Sequence, residues 1–303
     1  MITVTNLHKT YRTRTAVANL SFGVAAGRVT GFVGPNGAGK STTMRAMVGL
    51  TRPDRGSVTF DGVHYTDLRY PARVVGSVLD ARCMHPGRTA RQHLRATAAL
   101  SRIPMGRVET VLADVGLETA ADQRAGSFSL GMRQRLALAG ALLGEPQVLL
   151  LDEPSNGLDP DGIRWLRTYL TAFAHQGGSV FVSSHLIGEL AMFADDLVVI
   201  GAGRLLAAET VTAMTAHNAR IVVVETVQSH DLARLTQKLA ESGLVVEVTG
   251  TQLRVHDSDR RVVSDVARLN DIPVLELTEA SRSLEDSLLA LTAGSAEFAS
   301  SGG

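Results

Sequence analysis

The segment "GFVGPNGAGKSTT", residues 31–43, gives the clearest indication of the fold, because it contains the pattern GxxxxGK[ST] from Gly34 to Ser41. A β-branched segment typical of a strand, residues 28–34, runs into the pattern, and a helical pattern, residues 40–50, follows it. A strand, a glycine-rich loop and a helix in this order cradle phosphate groups. The sequence therefore predicts a triphosphate-binding loop in an α/β fold.

The residues of this loop suit phosphate chemistry. Glycines at 34, 37 and 39 let the backbone approach phosphate oxygens, and successive N–H groups form a nest for an anion. The N-terminus of the following helix adds its positive end. We expect Lys40 to place a charge on the β and γ phosphates and Ser41 to give its hydroxyl to Mg²⁺. The alternative is a glycine-rich turn without a ligand.

Two consecutive carboxylates follow four apolar residues in "VLLLDEP", residues 148–154. A phosphate-binding loop needs an acidic metal partner at the end of a neighbouring strand, and Asp152 is predicted to be that partner. Glu153 comes immediately after it, so its carboxylate can point to the attacking water and act as general base. The alternative for Glu153 is a surface glutamate in a turn.

A histidine ends a further predicted strand, "FVSSH", residues 181–185. At this strand end His185 would reach the γ phosphate; the alternative is a structural histidine whose hydrogen bonds are satisfied. The predicted catalytic residues are therefore Glu153, His185 and Lys40.

A serine opens the helical pattern "FSLGMRQRLALAGALL", residues 128–143. No histidine or cysteine lies near Ser129 in the sequence, so nothing there would make it a nucleophile. By itself, a serine in this place is most often a helix N-cap.

The composition excludes several classes of protein. A chain of 303 residues has room for about two domains, and its 30 Lys and Arg residues balance 30 Asp and Glu residues. No basic field draws it to nucleic acid, and no nucleic-acid partner is expected. The single cysteine, Cys83, cannot form an internal disulfide, which fits a reducing compartment.

Nothing in the sequence predicts a membrane span or a signal peptide. The N-terminal residues 1–17 have no apolar core, and the aliphatic runs "VLLL" and "LVVI" fall far short of the ~20 residues that cross a bilayer. We therefore expect a cytoplasmic protein that works at the inner face of a membrane only through a partner.

The order of elements predicts a parallel sheet with a helical insert. Strand patterns are found at 1–7, 16–26, 28–34 and 53–62, and helical spacing follows within about 81–145. Apolar strands at 146–154 and 178–185 then flank a helix at 162–177. Strand, helix, strand implies a crossover connection and parallel strands.

The composition shifts near residues 213–218, and a second domain is predicted over 218–292. Its order is βαββαβ, the ferredoxin-like arrangement, followed by a last helix in "SLEDSLLALT". The small-residue tail, 293–303, is predicted to be disordered.

These motifs resemble the ATP-binding subunits of ABC transporters, and the resemblance covers residues 1–212. It rests on "GPNGAGKST", "VLLLDEP", "SNGLDP", the histidine of "SSHL" and "FSLGMRQR", which is similar to the family's signature LSGGQ. It implies a P-loop NTPase of ABC type, with a parallel sheet core, an antiparallel β subdomain and a helical insert. The cofactors implied are ATP and Mg²⁺.

The resemblance also assigns the ATP contacts. In the family, the signature serine and glycine bind the γ phosphate held by the other subunit, which implies that Ser129, Gly131 and, in "SNGLDP", Asp159 contact ATP in trans. Tyr11 lies where the family places an aromatic ring that stacks on adenine; core packing is its alternative. The ATP-binding residues implied in cis are Tyr11, Gly34, Asn36, Gly37, Ala38, Gly39, Lys40, Ser41 and Thr42.

The sequence departs from the family at two positions. Leu130 replaces a glycine of the signature, a change we interpret as tolerable because the backbone contacts remain. Asp80 replaces a glutamine that touches Mg²⁺ and faces the groove for the membrane subunit. A carboxylate can still bind Mg²⁺, so the predicted metal ligands are Ser41, Asp152 and Asp80; the alternative is that Asp80 only caps a loop.

The function implied is that of the motor subunit of an ABC exporter of the drug and antibiotic type. Two copies would enclose two ATP molecules and drive a separate membrane permease. The alternatives are a soluble ABC-type ATPase not coupled to transport and an ATP-sensing module with little hydrolysis.

Overall fold

A computed structural model describes residues 1–80, 84–185, 187–216 and 220–281. Contacts divide the chain into two compact units, the first over residues 1–211 and the second beginning at Thr212. Cys83, the predicted last helix and the tail lie outside the described residues.

The strands belong to three sheets. Their bounds are β1 Ile2–Tyr11, β2 Arg14–Val24, β3 Val29–Val33, β4 Arg55–Phe60, β5 Val75–Val78, β6 Val148–Asp152, β7 Ser179–Ser184, β8 Asp196–Gly201, β9 Arg204–Thr210, β10 Arg220–Thr226, β11 Val245–Thr249, β12 Gln252–His256 and β13 Val274–Ser281.

The helices have the following bounds. They are α1 Lys40–Met47, α2 Pro71–Val74, α3 Ala90–Leu100, α4 Arg107–Asp114, α5 Leu130–Leu142, α6 Pro160–His175, α7 Ile187–Ala191, α8 Val211–Ala216, α9 Ser229–Glu241 and α10 Arg260–Leu269.

The central sheet has the order β5-β6-β7-β3-β8-β9, and every neighbouring pair is parallel except β8 with β9. Every residue of β3 and β7 is buried, as expected for apolar strands covered on both faces. Because parallel strands end at one edge, the segments that follow β3, β6 and β7 meet there.

A separate antiparallel sheet has the order β2-β1-β4. Its first hairpin turns at Arg12, which has a φ of 54°, and places Tyr11 opposite Arg14. Asp54 holds this end of β1: it accepts hydrogen bonds from the Thr10 N–H at 2.7 Å and from Lys9 Nζ at 2.9 Å. Both hydrogen bonds lower the pKa of Asp54, and the one from the Thr10 backbone has the larger effect.

The core of the first unit joins this antiparallel sheet to the central sheet. Three aromatic rings, from Phe22, Phe32 and Phe181, pack with centroids 4.9–5.7 Å apart. Helices α3, α4 and α5 form an insert between β5 and β6. The parallel core, the antiparallel subdomain and the helical insert were all predicted, and the structure confirms them.

The second unit has a sheet of order β11-β12-β10-β13 with every pair antiparallel. Buried side chains from α9, α10 and one sheet face form its core. Numbered within the unit, the strand order is 2-3-1-4, which is the predicted ferredoxin-like arrangement.

Candidate active site

The glycine-rich loop lies between β3 and α1, as the sequence predicts. Gly39 has a φ of 106°, and a Cβ there would lie 2.4 Å from the Ala16 carbonyl oxygen, so only glycine fits. Helix α1 begins at the next residue, Lys40. The first N–H groups of a helix have no partner within it, so this turn offers donors and a positive dipole end to an anion.

Lys40 is buried at the base of the loop. Its Nζ donates to the Gly34 carbonyl oxygen at 2.6 Å and lies 4.0 Å from Oε1 of Glu153. Loss of water contact lowers the pKa of Lys40, while the charges of Glu153 and Asp152 oppose that shift. The ammonium group is therefore held inside the loop by a carbonyl oxygen and a carboxylate.

The loop opens into a cleft of about 360 Å³. Every residue predicted to bind ATP in cis lines this cleft, except Gly34, whose carbonyl oxygen accepts from Lys40. Tyr11 is 47% exposed at one side, and its hydroxyl lies 3.3 Å from Oγ1 of Thr51. The lining residues that were not predicted to bind ATP are Arg14, Ala16, Pro35 and Glu153.

Ser183, a residue that the sequence analysis missed, joins the two consecutive carboxylate residues. Its buried hydroxyl donates to Oδ1 of Asp152 at 2.5 Å and accepts from the Glu153 N–H at 3.0 Å. The same N–H lies 3.2 Å from the Ser183 carbonyl oxygen. The available signal was a polar residue inside an apolar strand pattern.

Glu153 lies between two of the predicted catalytic groups. Its Oε2 is 2.7 Å from Nδ1 of His185, and its Oε1 faces Lys40. An ionised carboxylate can only accept a hydrogen bond, so a hydrogen bond between an ionised Glu153 and His185 requires the hydrogen on Nδ1. Glu153 has a φ of 51°, a strained value for a residue other than glycine. The structure brings Lys40, Glu153 and His185 together.

The donor set fits Mg²⁺ held mainly by a nucleotide. Mg²⁺ commonly takes one or two carboxylates together with substrate phosphates. Ser41 lines the cleft, and Oδ2 of Asp152 has no hydrogen-bond partner among the described residues. Within those residues, no group of three or more His, Cys, Asp or Glu could bind a metal without a nucleotide.

Asp80 lies elsewhere. It follows β5 and lines a groove of about 430 Å³ together with Leu79 and His93, and it is not part of the lining of the nucleotide cleft. Its role as a metal ligand stays a prediction.

The residues predicted to act in trans lie at the N-termini of two helices. Ser129 caps α5 by accepting from the Met132 N–H at 3.2 Å, and Asp159 caps α6 by accepting from the Gly162 N–H at 2.8 Å. A Cβ on Gly131 would lie 3.2 Å from the Gly157 carbonyl oxygen, so the two helix starts are adjacent. None of the predicted trans residues lines the cleft of their own chain.

Comparisons with known proteins agree with this geometry. The family model for ABC transporters matches residues 17–156. YhcH, an uncharacterised ABC transporter ATP-binding protein of Bacillus subtilis (strain 168), is 32% identical over 290 residues, covering 95% of this chain and 94% of that protein. The chain belongs to the ABC transporter ATP-binding proteins.

Further relatives of this ABC protein include one with a stated transport role. The bacitracin transport ATP-binding protein BcrA of Bacillus licheniformis is 32% identical over 312 residues, covering 97% of this chain and 98% of that protein. The solved dimeric structure of MJ0796, a bacterial ABC transporter cassette, is 25% identical with a TM-score of 0.64, covering 70% of this chain and 99% of that one. As a member of this family the protein is an ATPase, and its nucleotide is ATP.

The length and polarity of the helices decide whether any of them could span a membrane. Across the ranges that the structure describes, every helix is too short or too polar to cross a bilayer.

Proposed function

We propose that this ABC protein is the motor subunit of an exporter, and that it hydrolyses ATP between two copies of itself to drive a separate membrane permease. The observation that carries the proposal is the grouping of Lys40, Glu153 and His185 at the ends of adjacent strands. A module that only senses ATP has no need of a carboxylate held beside the phosphate loop.

The residues of the cleft take the following roles in the proposal. The loop and Lys40 bind the phosphates, and Tyr11 stacks on adenine. Glu153 takes a proton from the attacking water, while His185 holds its carboxylate and faces the γ phosphate. Ser41 and Asp152 would hold Mg²⁺, which when bound neutralises charge on the β and γ phosphates.

The second copy completes the site in this proposal. Its Ser129, Gly131 and Asp159 would contact the γ phosphate bound to the first copy. The adjacency of the two helix starts supports this arrangement, because both would approach one phosphate from the same surface. The same residues do not line their own cleft, which is the arrangement that a contact in trans requires.

The permease is proposed to dock at the groove beside Asp80, which would place the protein on the inner face of the membrane. The name of the relative BcrA suggests a peptide antibiotic such as bacitracin as cargo. Nucleic acid is not a proposed partner, because positive and negative side chains balance over the chain.

The test of hydrolysis is Glu153→Gln. The variant should bind ATP, lose turnover by ~10²-fold or more and accumulate as an ATP-dependent dimer, since the base is removed while the phosphate contacts remain. Light scattering with and without ATP measures the mass. Normal hydrolysis by this variant would mean that another residue is the base.

The test of export uses cells whose only copy of this protein carries Glu153→Gln. They should become more sensitive to the exported antibiotic than cells with the wild-type protein, at equal protein level. Equal sensitivity to bacitracin would remove that cargo from the proposal. If Glu153→Gln nevertheless loses turnover and forms the ATP-dependent dimer, the proposed role as a motor subunit is still supported.

A further inference from the structure

Arg14 lies at the mouth of the nucleotide cleft. It is the first residue of β2 and pairs with Tyr11 across the hairpin. Its Nη2 is 3.4 Å from the position that a Cβ on Gly37 would occupy. The guanidinium group therefore lies against the phosphate-binding loop, on the solvent side, whereas Lys40 is buried beneath it.

This charge has no counterion in the described part of the chain. The structure gives the Arg14 side chain no hydrogen bond and no ion pair with any described residue. Arg28 of the same unit makes two hydrogen bonds to the carboxylate of Asp196, at 2.6 and 2.8 Å, whereas Arg45 and Arg52, like Arg14, form no ion pair with a described residue. What distinguishes Arg14 from these is its place in the lining of the nucleotide cleft. A cation in a cleft built for phosphate, without a carboxylate of its own, is suited to an anionic ligand.

We propose that Arg14 binds the phosphate chain of the nucleotide as a second side-chain cation beside Lys40. The inference rests on the proposed function only in that the cleft holds ATP. A guanidinium group presents a planar fork of donors that can bind phosphate oxygens in pairs, which an ammonium group cannot do. Because Arg14 is exposed, it can meet the phosphates from solvent as the nucleotide enters.

Arg14→Gln tests the proposal, and Arg12→Gln is the matched control. Arg12 is an exposed arginine of the same hairpin turn, and it does not line the cleft. Arg14→Gln should weaken equilibrium binding of ATP about tenfold, while Arg12→Gln should change it less than twofold. Arg14→Lys should recover part of the loss, because the charge returns without the fork.

Tripolyphosphate, which has no base or sugar, identifies the part of the nucleotide that Arg14 contacts. Displacement of a fluorescent ATP analogue by tripolyphosphate should be weakened in Arg14→Gln as much as displacement by ATP. Unchanged displacement by tripolyphosphate would assign Arg14 to adenine or ribose and overturn the proposal.

Lys40→Ala separates this proposal from the proposed function. If Lys40→Ala loses ATP and Arg14→Gln binds it normally, the inference about Arg14 is wrong and the nucleotide cleft stands. If neither variant changes ATP binding, the cleft is not the nucleotide site and the proposed function fails with it.

Discussion

Leu130 and Gly157 fit together across the starts of two helices. A Cβ on Gly157 would lie 2.1 Å from Cδ2 and 2.3 Å from Cγ of Leu130, and Gly157 has a φ of 78°. Leu130, which stands where the family signature has a glycine, thus occupies the space next to Gly157. Gly157 belongs to the loop that ends at Asp159. This contact explains in part how the chain accommodates Leu130 at the signature.

We expect Gly157→Ala to destabilise the fold through both strain and overlap. The positive φ costs roughly 1–2 kcal/mol, and displacing Leu130, which is 49% exposed, should add about 1 kcal/mol, the low end of the range for overpacking. Gly62→Ala is the control, because Gly62 has a φ of 85° with nothing within 4 Å of its Cβ position. Urea unfolding measures both variants. In the double variant, Leu130→Ala should recover the part of the unfolding free energy that Gly157→Ala loses through overlap. If the losses of the two single variants simply add in the double variant, the two residues do not interact in this way.

Ser183→Ala should lower hydrolysis far more than ATP binding. The change removes the hydrogen bond to Asp152 and one of two acceptors of the Glu153 N–H, and loss of such a supporting bond beside a metal ligand typically costs about 10–100-fold. Turnover and the Mg²⁺ requirement are measured together with the ATP dissociation constant. Ser179→Ala, a buried serine at the other end of β7, is the control. Equal effects of the two changes would assign Ser183 to general packing.

Ser129→Arg should leave ATP binding to the monomer intact and abolish ATP-driven dimerisation, because the proposed contact is in trans. Mixing it with Lys40→Ala should return some hydrolysis, since one composite site keeps both working halves, unless the two sites are obligatorily coupled. Gel filtration and phosphate release measure the outcome. Loss of ATP binding in Ser129→Arg alone would refute the trans assignment.

Asp80→Ala should raise the Mg²⁺ concentration for half-maximal hydrolysis if the carboxylate meets the metal. Asp80→Gln, which restores the family's amide, should keep basal turnover within about tenfold. Activity is followed against Mg²⁺ at saturating ATP. Superimposable curves for wild type and both variants would leave Asp80 as a local structural residue.

The burial of Lys40 makes the folding stability of the nucleotide-free protein depend on pH in the alkaline range. Because the folded-state pKa of Lys40 is below its usual value, the unfolded chain binds one more proton between that pKa and ~10.4, so folding stability rises with pH in this window. Relative to Lys40→Met, wild type should therefore gain stability as pH increases towards 10.4. Urea midpoints at several pH values test this. A difference that does not change with pH would indicate an ordinary pKa for Lys40.

The parts of the fold that carry long apolar or periodic patterns were predictable. Buried strands such as β6 and β7 and the helices of the insert have unambiguous spacing. The hairpin at Arg12 was missed because its turn has no Gly, Asn or Asp, although Arg12 adopts a positive φ. No elements were predicted over residues 187–212, although β8 contains the apolar run "LVVI", which is as long as the "VLLL" of β6.

The candidate site also contains residues that the sequence predicts and residues that it does not. Lys40, Asp152, Glu153 and His185 each stand directly after a strand or loop motif, so their meeting at one sheet edge follows from parallel topology. Ser183 and Arg14 could not be found in this way, because their roles depend on strand register and on the reach of one side chain.

The Ser129 hydroxyl can accept one hydrogen bond and donate another. As N-cap it accepts from the Met132 N–H, and its own hydrogen remains to be donated. An aspartate would cap α5 as well, but it can only accept and would repel a phosphate. Under the proposed function, natural selection at this position acts on two properties, the capping of α5 and the donation of a hydrogen bond to phosphate. A library of variants sorted for folding would retain aspartate, whereas the same library sorted for growth on the antibiotic would lose it.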